Sequence, residues 1–258
     1  MGWLSEIMAK ILIFFHVLVG SYGWSIVLLT FLLRLVLFPT SIGSIRSMEK
    51  MKAIQPKIKE IQAKYKDKPE ELQRRTMEMY RENKVNPLGG CLPLLIQLPF
   101  MWALYGLLNN ASMTVGKSGK PIVYFLGETA NKAFTNEHFL GILQLTKKAS
   151  DIAGPMLSTQ KLSFLILAIL SGATTFVQQK ITSPQTAAST DGAGNFQSMF
   201  LYLMPLFFIW ITYTMPAALG IYWVAQGVVG IVQQYIIVKF FMEHPTNPAA
   251  LPEKHKKP

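Results

Sequence analysis

Arg34 lies in the run Leu28-Leu29-Thr30-Phe31-Leu32-Leu33-Arg34-Leu35-Val36-Leu37, the one charge inside an otherwise apolar stretch. A cation at the centre of a bilayer costs roughly 2.5–3.5 kcal/mol on insertion scales. A guanidinium placed there needs a carboxylate, a set of carbonyls, or water. Residues 11–33, 85–116, 162–179 and 192–238 hold no Asp, Glu, Lys or Arg. A carboxylate partner within the membrane is thereby excluded, and the reading becomes a hydrated cavity around Arg34. The alternative is an arginine nearer the interface, bound to lipid phosphate. Thr30 lies one turn before Arg34 on the same face. Gln97 falls mid-way along a second apolar stretch, Gln178 and Gln179 end a third, and Gln226, Gln233 and Gln234 belong to the last. Any one glutamine can bond across a helix interface, but together they are many for so few apolar segments. Tyr222 and Trp223 stand near one end of the last stretch, where an interfacial aromatic belt and a contact role are equally good readings.

Other chemistries are missing from the sequence. There is no GxxxxGK[ST], GxSxG or HExxH motif. His16, His138, His244 and His255 lack metal-ligand spacing, and the lone Cys91 can form neither an internal disulfide nor a cysteine metal cluster. No enzyme activity, cofactor or metal is expected. Without a nucleotide motif or an acidic ion-coupling residue, an ATP-driven pump and a proton-coupled transporter lose support.

Half of the 258 residues are hydrophobic, yet the chain carries 25 Lys+Arg against 14 Asp+Glu. Charge-free stretches of this length mark an integral membrane protein, and the expected fold is all-α and polytopic, with five transmembrane helices. Spans are placed at 23–43, 85–112 (its apolar part Leu92–Ser112), 162–181, 196–215 and 217–240. Before them, residues 1–22 form an interfacial amphipathic helix: Trp3, Leu4, Ile7, Ile11, Phe14 and Leu18 fall near one face, with Glu6 and Lys10 beside it. The alternative for this segment is a first spanning helix. Residues 44–84 read as a cytoplasmic helical hairpin. Ile54, Ile58, Ile61 and Tyr65 repeat at helical spacing, Lys66-Asp67-Lys68-Pro69 turns the chain, and Leu72, Thr76 and Met79 continue on the return arm. Pro56 should kink or interrupt the first arm. Met48, Met51, Met77 and Met79 read as packing between the arms. The loop 113–161 contains turn material and a short amphipathic helix near 137–149; 182–195 is a cytoplasmic loop, and 241–258 a basic, disordered tail.

Basic residues set the orientation. The hairpin holds 12 Lys+Arg and the stretch 239–258 holds 4. With Lys180, this places 17 inside against 7 outside, so the N-terminus is expected outside and the C-terminus in the cytoplasm.

Two stretches go beyond composition. Tyr22-Gly23-Trp24-Ser25-Ile26-Val27-Leu28-Leu29-Thr30-Phe31-Leu32-Leu33-Arg34, and Lys84-Val85-Asn86-Pro87-Leu88-Gly89-Gly90-Cys91-Leu92-Pro93-Leu94-Leu95-Ile96-Gln97-Leu98-Pro99-Phe100, closely resemble the bacterial YidC branch of the YidC/Oxa/Alb membrane protein insertases. Pro216-Ala217-Ala218-Leu219-Gly220-Ile221-Tyr222-Trp223 and Gln55-Pro56-Lys57-Ile58 are similar to further signatures of that family. Relative to the family pattern, the sequence opens on the interfacial helix, shows no large extracytoplasmic domain and has a longer outer loop. The resemblance implies a five-helix core in the bacterial cell membrane around a hydrophilic groove, open to cytoplasm and lipid and closed outside. By position Arg34, Thr30, Gln97, Gln178 and Trp223 correspond to groove positions, with Tyr222 beside them. It also implies a role in inserting and helping to fold nascent membrane proteins, alone or with the Sec translocon. The implied partners are the ribosome, the signal-recognition pathway and anionic lipids, but not DNA. Two other classes stay open: a channel or transporter for a small anion with Arg34 as its site, and a passive assembly partner that docks through its hairpin.

Overall fold

The computed structural model describes residues 2–85, 97–106, 133–134, 136–152, 155, 158–182 and 192–241. The expected span 85–112 is therefore seen only through a helical stretch at 97–106. Most of the loops 113–161 and 182–195, and the tail from 242, lie outside the described residues.

The described part is almost wholly helical. Helix α1 covers Gly2–Val19, α2 Tyr22–Val36, α3 Phe38–Lys64 and α4 Pro69–Glu82; α5 covers Thr159–Thr182, α6 Gly192–Thr214 and α7 Ala217–Phe241. Two of them, α5 and α7, are each long and apolar enough to cross a membrane, with mean hydropathies of 1.5 and 1.4. The count is three if α2 and α3 form one broken span, for they meet at a bend of 66°.

That bend falls at Leu37, two residues before Pro39. Proline cannot donate to the preceding turn, and its ring crowds the carbonyl four residues earlier. The two helices therefore separate here, and the first hairpin arm begins at Phe38 rather than at 44. Pro56, expected to interrupt this arm, lies inside an unbroken α3. It sits on the exposed side, where the carbonyl it leaves free can meet water.

The hairpin buries little. Ile54, Ile58 and Val85 form its core, with Met51, Met79 and Tyr80 packed against them, whereas Met77 is exposed. Helix α4 buries no residue. Its solvated face carries a local ion-pair network in which Glu71 Oε1 accepts from Arg74 Nη2 at 2.8 Å and Arg75 Nε at 3.1 Å. The Arg74 hydrogen bond, then that of Arg75, holds the Glu71 carboxyl below its ordinary range. The hairpin joins the bundle through α3: Lys52 Nζ donates at 2.7 Å to the carbonyl of Ile181, near the end of α5.

Helices α5, α6 and α7 pack closely. A side chain at Gly172 would meet Ile209 and, at 3.0 Å, the Pro205 carbonyl, so only glycine admits this approach of α5 to α6. Buried Thr212 donates to Ser171 Oγ at 3.0 Å across the same contact. Small residues and short polar bridges of this kind replace the hydrophobic drive that is absent between helices in lipid.

Helix α1 turns Ser5, Met8, Ala9 and Leu12 toward the bundle, and Ser5 Oγ donates to the Ala103 carbonyl at 3.1 Å. The apolar face read from the sequence is divided: Ile7, Phe14 and Leu18 are exposed, whereas Leu4 and Ile11 pack against the core.

The expected amphipathic helix near 137–149 is not formed. Its place is taken by two short antiparallel strands, β1 (His138–Phe139) and β2 (Leu143–Gln144), followed by a 3₁₀ turn at Ala149–Asp151. Leu140 and Gly141 both take positive φ, 54° and 75°, within the three-residue loop 140–142 that joins the paired Phe139 and Leu143. Phe139, Leu143 and Leu145 are buried by this hairpin. The main buried core lies at this loop end of the bundle, where α2 and α7 begin: it joins Tyr22, Ile26 and Leu29 with Phe134, Phe139, Ala217, Ile221 and Tyr222.

Candidate functional site at Arg34

On α7, residues Tyr222, Gln226, Gly230 and Gln233 are spaced by four, four and three, which places them on one face of the helix. That face meets α2. Arg34 Nη1 donates to Gln233 Oε1 at 3.3 Å and Nη2 to the Gln226 carbonyl at 3.1 Å. The Gln233 amide in turn reaches the Arg34 carbonyl at 3.5 Å. Arg34 is half-buried, and its Nε finds no acceptor among the described residues. Two neutral oxygens of α7 thus serve the cation, one from a side-chain amide and one from the backbone. No carboxylate pairs with it among the described residues.

Gly230 creates the room for this arrangement. A Cβ there would lie 2.5 Å from Gln178 Nε2 and 2.8 Å from Arg34 Nη2, so the amide of α5 and the guanidinium of α2 converge on one spot against the α7 backbone. Both converging groups are hydrogen-bond donors, and an acceptor arriving between them would be held from two sides.

Arg34 and Gln178 are therefore brought together. Thr30 lies one turn toward the loop end, fully buried, its hydroxyl donating to the Ile26 carbonyl at 2.7 Å. Further along, Gln97 Nε2 donates to the hydroxyl of buried Tyr222. Trp223 is turned elsewhere: its ring packs edge-on against Phe208 of α6, with centroids 5.6 Å apart. At the hairpin end, Thr182 Oγ1 donates to Gln234 Oε1 at 3.0 Å. No group of three metal-ligating side chains occurs among the described residues.

Sequence reasoning counted the glutamines of α7 without separating Gln233, which holds Arg34, from Gln234, which faces α5. It passed over Gly230 altogether, although a glycine three residues beyond Gly227 in an apolar helix is a signal of close approach.

The Gln97–Tyr222 bond ties the 97–106 stretch to α7. Tyr222→Phe leaves the Gln97 amide without this partner and is expected to cost about 1 kcal/mol. A double-mutant cycle with Gln97→Ala checks this: thermal unfolding in detergent should show coupling between the two changes, and strictly additive losses would rule the bond out.

The chain is similar to known proteins over most of its length. The family model described as "60Kd inner membrane protein" matches residues 14–244. A protein of Endomicrobium trichonymphae named membrane protein insertase YidC is 32% identical over 238 residues, 92% of this chain and 40% of that protein. A Fusobacterium nucleatum protein of the same name is 33% identical, the match covering 86% of this chain and 88% of the relative. One from Chlamydia trachomatis is 36% identical over 89% of this chain but only 27% of its own length. The chain thus spans well under half of two of these relatives and most of the third. Among solved structures, an active YidC insertase crystal structure with its first transmembrane domain resolved superposes with a TM-score of 0.54 at 24% identity, over 90% of this chain and 46% of that one.

Proposed function

The chain belongs to the 60Kd inner membrane protein family, the non-enzymatic YidC/Oxa/Alb insertases, and on that premise we propose that it inserts nascent membrane proteins through a polar groove centred on Arg34. One observation carries this reading: among the described residues Arg34 Nε has no acceptor while its Nη groups are held against α7, with the Gln178 amide facing the same spot.

In this reading five helices span the membrane, with the N-terminus outside and the hairpin and C-terminus in the cytoplasm. The polar tail of a substrate has to cross about 30 Å of hydrocarbon. A groove offering water, Arg34 and amide donors part-way across shortens the apolar stretch of that path. A carboxylate on the tail exchanges water for the guanidinium, an attraction strengthened where the surroundings are partly desolvated. The substrate's apolar helix then leaves along the groove wall into lipid, and the transfer of its side chains drives the step. No covalent step and no cofactor is involved. The basic hairpin and tail meet ribosomal RNA or anionic lipid through salt-sensitive contacts, and delivery comes from the ribosome, the signal-recognition pathway or the Sec translocon.

The test is reconstitution of the purified full chain into vesicles. A single-span substrate with an acidic tail should become protease-protected in proportion to the protein supplied. Flux of small anions through the same vesicles, with no protected substrate, would replace this reading with that of a channel.

A further inference from the structure

Glu137 does something at the loop end that its place in the sequence does not announce. Its carboxylate sits on the N-terminus of α2, accepting from Ser21 Oγ at 2.6 Å, from the Tyr22 amide at 2.7 Å and from the Gly23 amide at 3.2 Å. The first amides of a helix have no partner within it and carry the positive end of its dipole, so an anion here is doubly favoured. This anion comes from a loop more than 100 residues away. A few residues further on, the same segment serves α7: the carbonyls of Leu145 and Lys147 accept from the Ala218 amide at 2.9 Å and the Ala217 amide at 3.0 Å. One short piece of chain therefore satisfies the first amides of both helices that hold Arg34.

The contact is fitted as well as bonded. The Phe139 ring lies against Gly23, where an added Cβ would stand 2.6 Å from its Cγ. Phe134 packs edge-on to Tyr22, with centroids 5.2 Å apart, and is fully buried. Because both N-termini are held at this end, α2 and α7 run parallel from it. At 1.5 Å per residue, Arg34 lies about 16 Å beyond Gly23, and Gln226 about 13 Å beyond Ala217. The two helices reach the Arg34 contact from a common base.

We infer that residues 137–147 clamp α2 to α7, and that Glu137 is the positioning residue that keeps Arg34 opposite Gln226 and Gln233. The clamp sets the separation of the two helices from one end. At the other end the chain turns away at Leu37, so beyond the buried core the α2–α7 contact is held there by the hydrogen bonds of Arg34 with Gln226 and Gln233. This inference concerns helix geometry and stands apart from the insertion reading.

The test uses the full chain with Cys91→Ser and spin labels at Leu35 and Val232, exposed positions of α2 and α7 that border the contact. Pulsed electron–electron distances are measured in lipid vesicles. The parent should give one narrow distance. Glu137→Ala should broaden or split it, Glu137→Gln, which keeps one acceptor oxygen, should have a smaller effect, and Glu6→Ala on α1 should leave it unchanged. If Glu137→Ala does not fold, as judged by circular dichroism, the Glu137→Gln comparison decides. An unaltered distance in the folded Glu137 variants overturns the clamp, whatever insertion does. Loss of insertion in Arg34→Glu with the parent distance retained bears on the site alone.

Discussion

Arg34→Glu is expected to abolish vesicle insertion of a substrate with an acidic translocated tail, while Arg34→Lys retains a substantial fraction. A unit charge about 4 Å away is worth roughly 1 kcal/mol in water and about 4 kcal/mol in a partly desolvated site. Reversing the charge replaces that attraction with a repulsion of like size, a swing of roughly 2–8 kcal/mol, so the insertion rate should fall by at least about 30-fold. The effect should shrink for a substrate whose tail is neutral and reverse in part for a basic one. Lysine keeps the cation but cannot reach Gln233 Oε1 and the Gln226 carbonyl together as the forked guanidinium does. Because the positive charge is kept, Arg34→Lys should stay well above Arg34→Glu with an acidic tail. Equal insertion by the parent and Arg34→Glu would remove charge from the mechanism.

The second large effect is at Gly230. Gly230→Ala puts a methyl where Gln178 Nε2 and Arg34 Nη2 converge, at 2.5 and 2.8 Å. Both atoms end flexible side chains, so each can swing aside and the fold should lose little stability. The site should suffer much more. Displacing a charged hydrogen bond costs about 1.5–3 kcal/mol, and insertion should fall by roughly 10-fold to 100-fold. Gly172→Ala is the contrast, since there the new methyl meets the immovable Pro205 carbonyl at 3.0 Å. That variant should lower thermal stability, by about 1–3 kcal/mol, and affect insertion only through it. Parallel measurement of melting temperature and insertion separates the two glycines. A Gly230→Ala protein that melts early and inserts normally would contradict the account.

Much of this was legible in the chain because charge and periodicity act locally. The charge-free stretches mark α5 and α7, and the 54/58 spacing marks the buried stripe of α3, since burial enforces a helical repeat wherever a helix is amphipathic. Arg34 was legible for the opposite reason, being the residue that breaks its surroundings. What depends on long-range contact was not. The loop hairpin was misread as a helix because Leu140 at positive φ is a poor turn signal, and only burial of Phe139, Leu143 and Leu145 against distant helices selects the turn. The break at Leu37 was blurred because Pro39 reads equally well as the end of a span. Glu137 is one of three acidic residues in the loop 113–161, and nothing near it in sequence shows that it will cap a helix starting at Tyr22. That Trp223 packs on Phe208 was not legible either, because aromatic identity alone does not say which neighbour it meets.

The central claim is that a substrate's polar tail passes beside Arg34, on the side where Gln178 faces it. A photo-reactive residue placed at Gln178 tests it directly, with Ile169, an exposed position on the same helix, as the control. A ribosome-stalled membrane protein with an acidic tail should crosslink through that tail from position 178 and not from 169, and Arg34→Glu should abolish the product. Equal yields from the two positions, or crosslinks to lipid alone, would contradict the account.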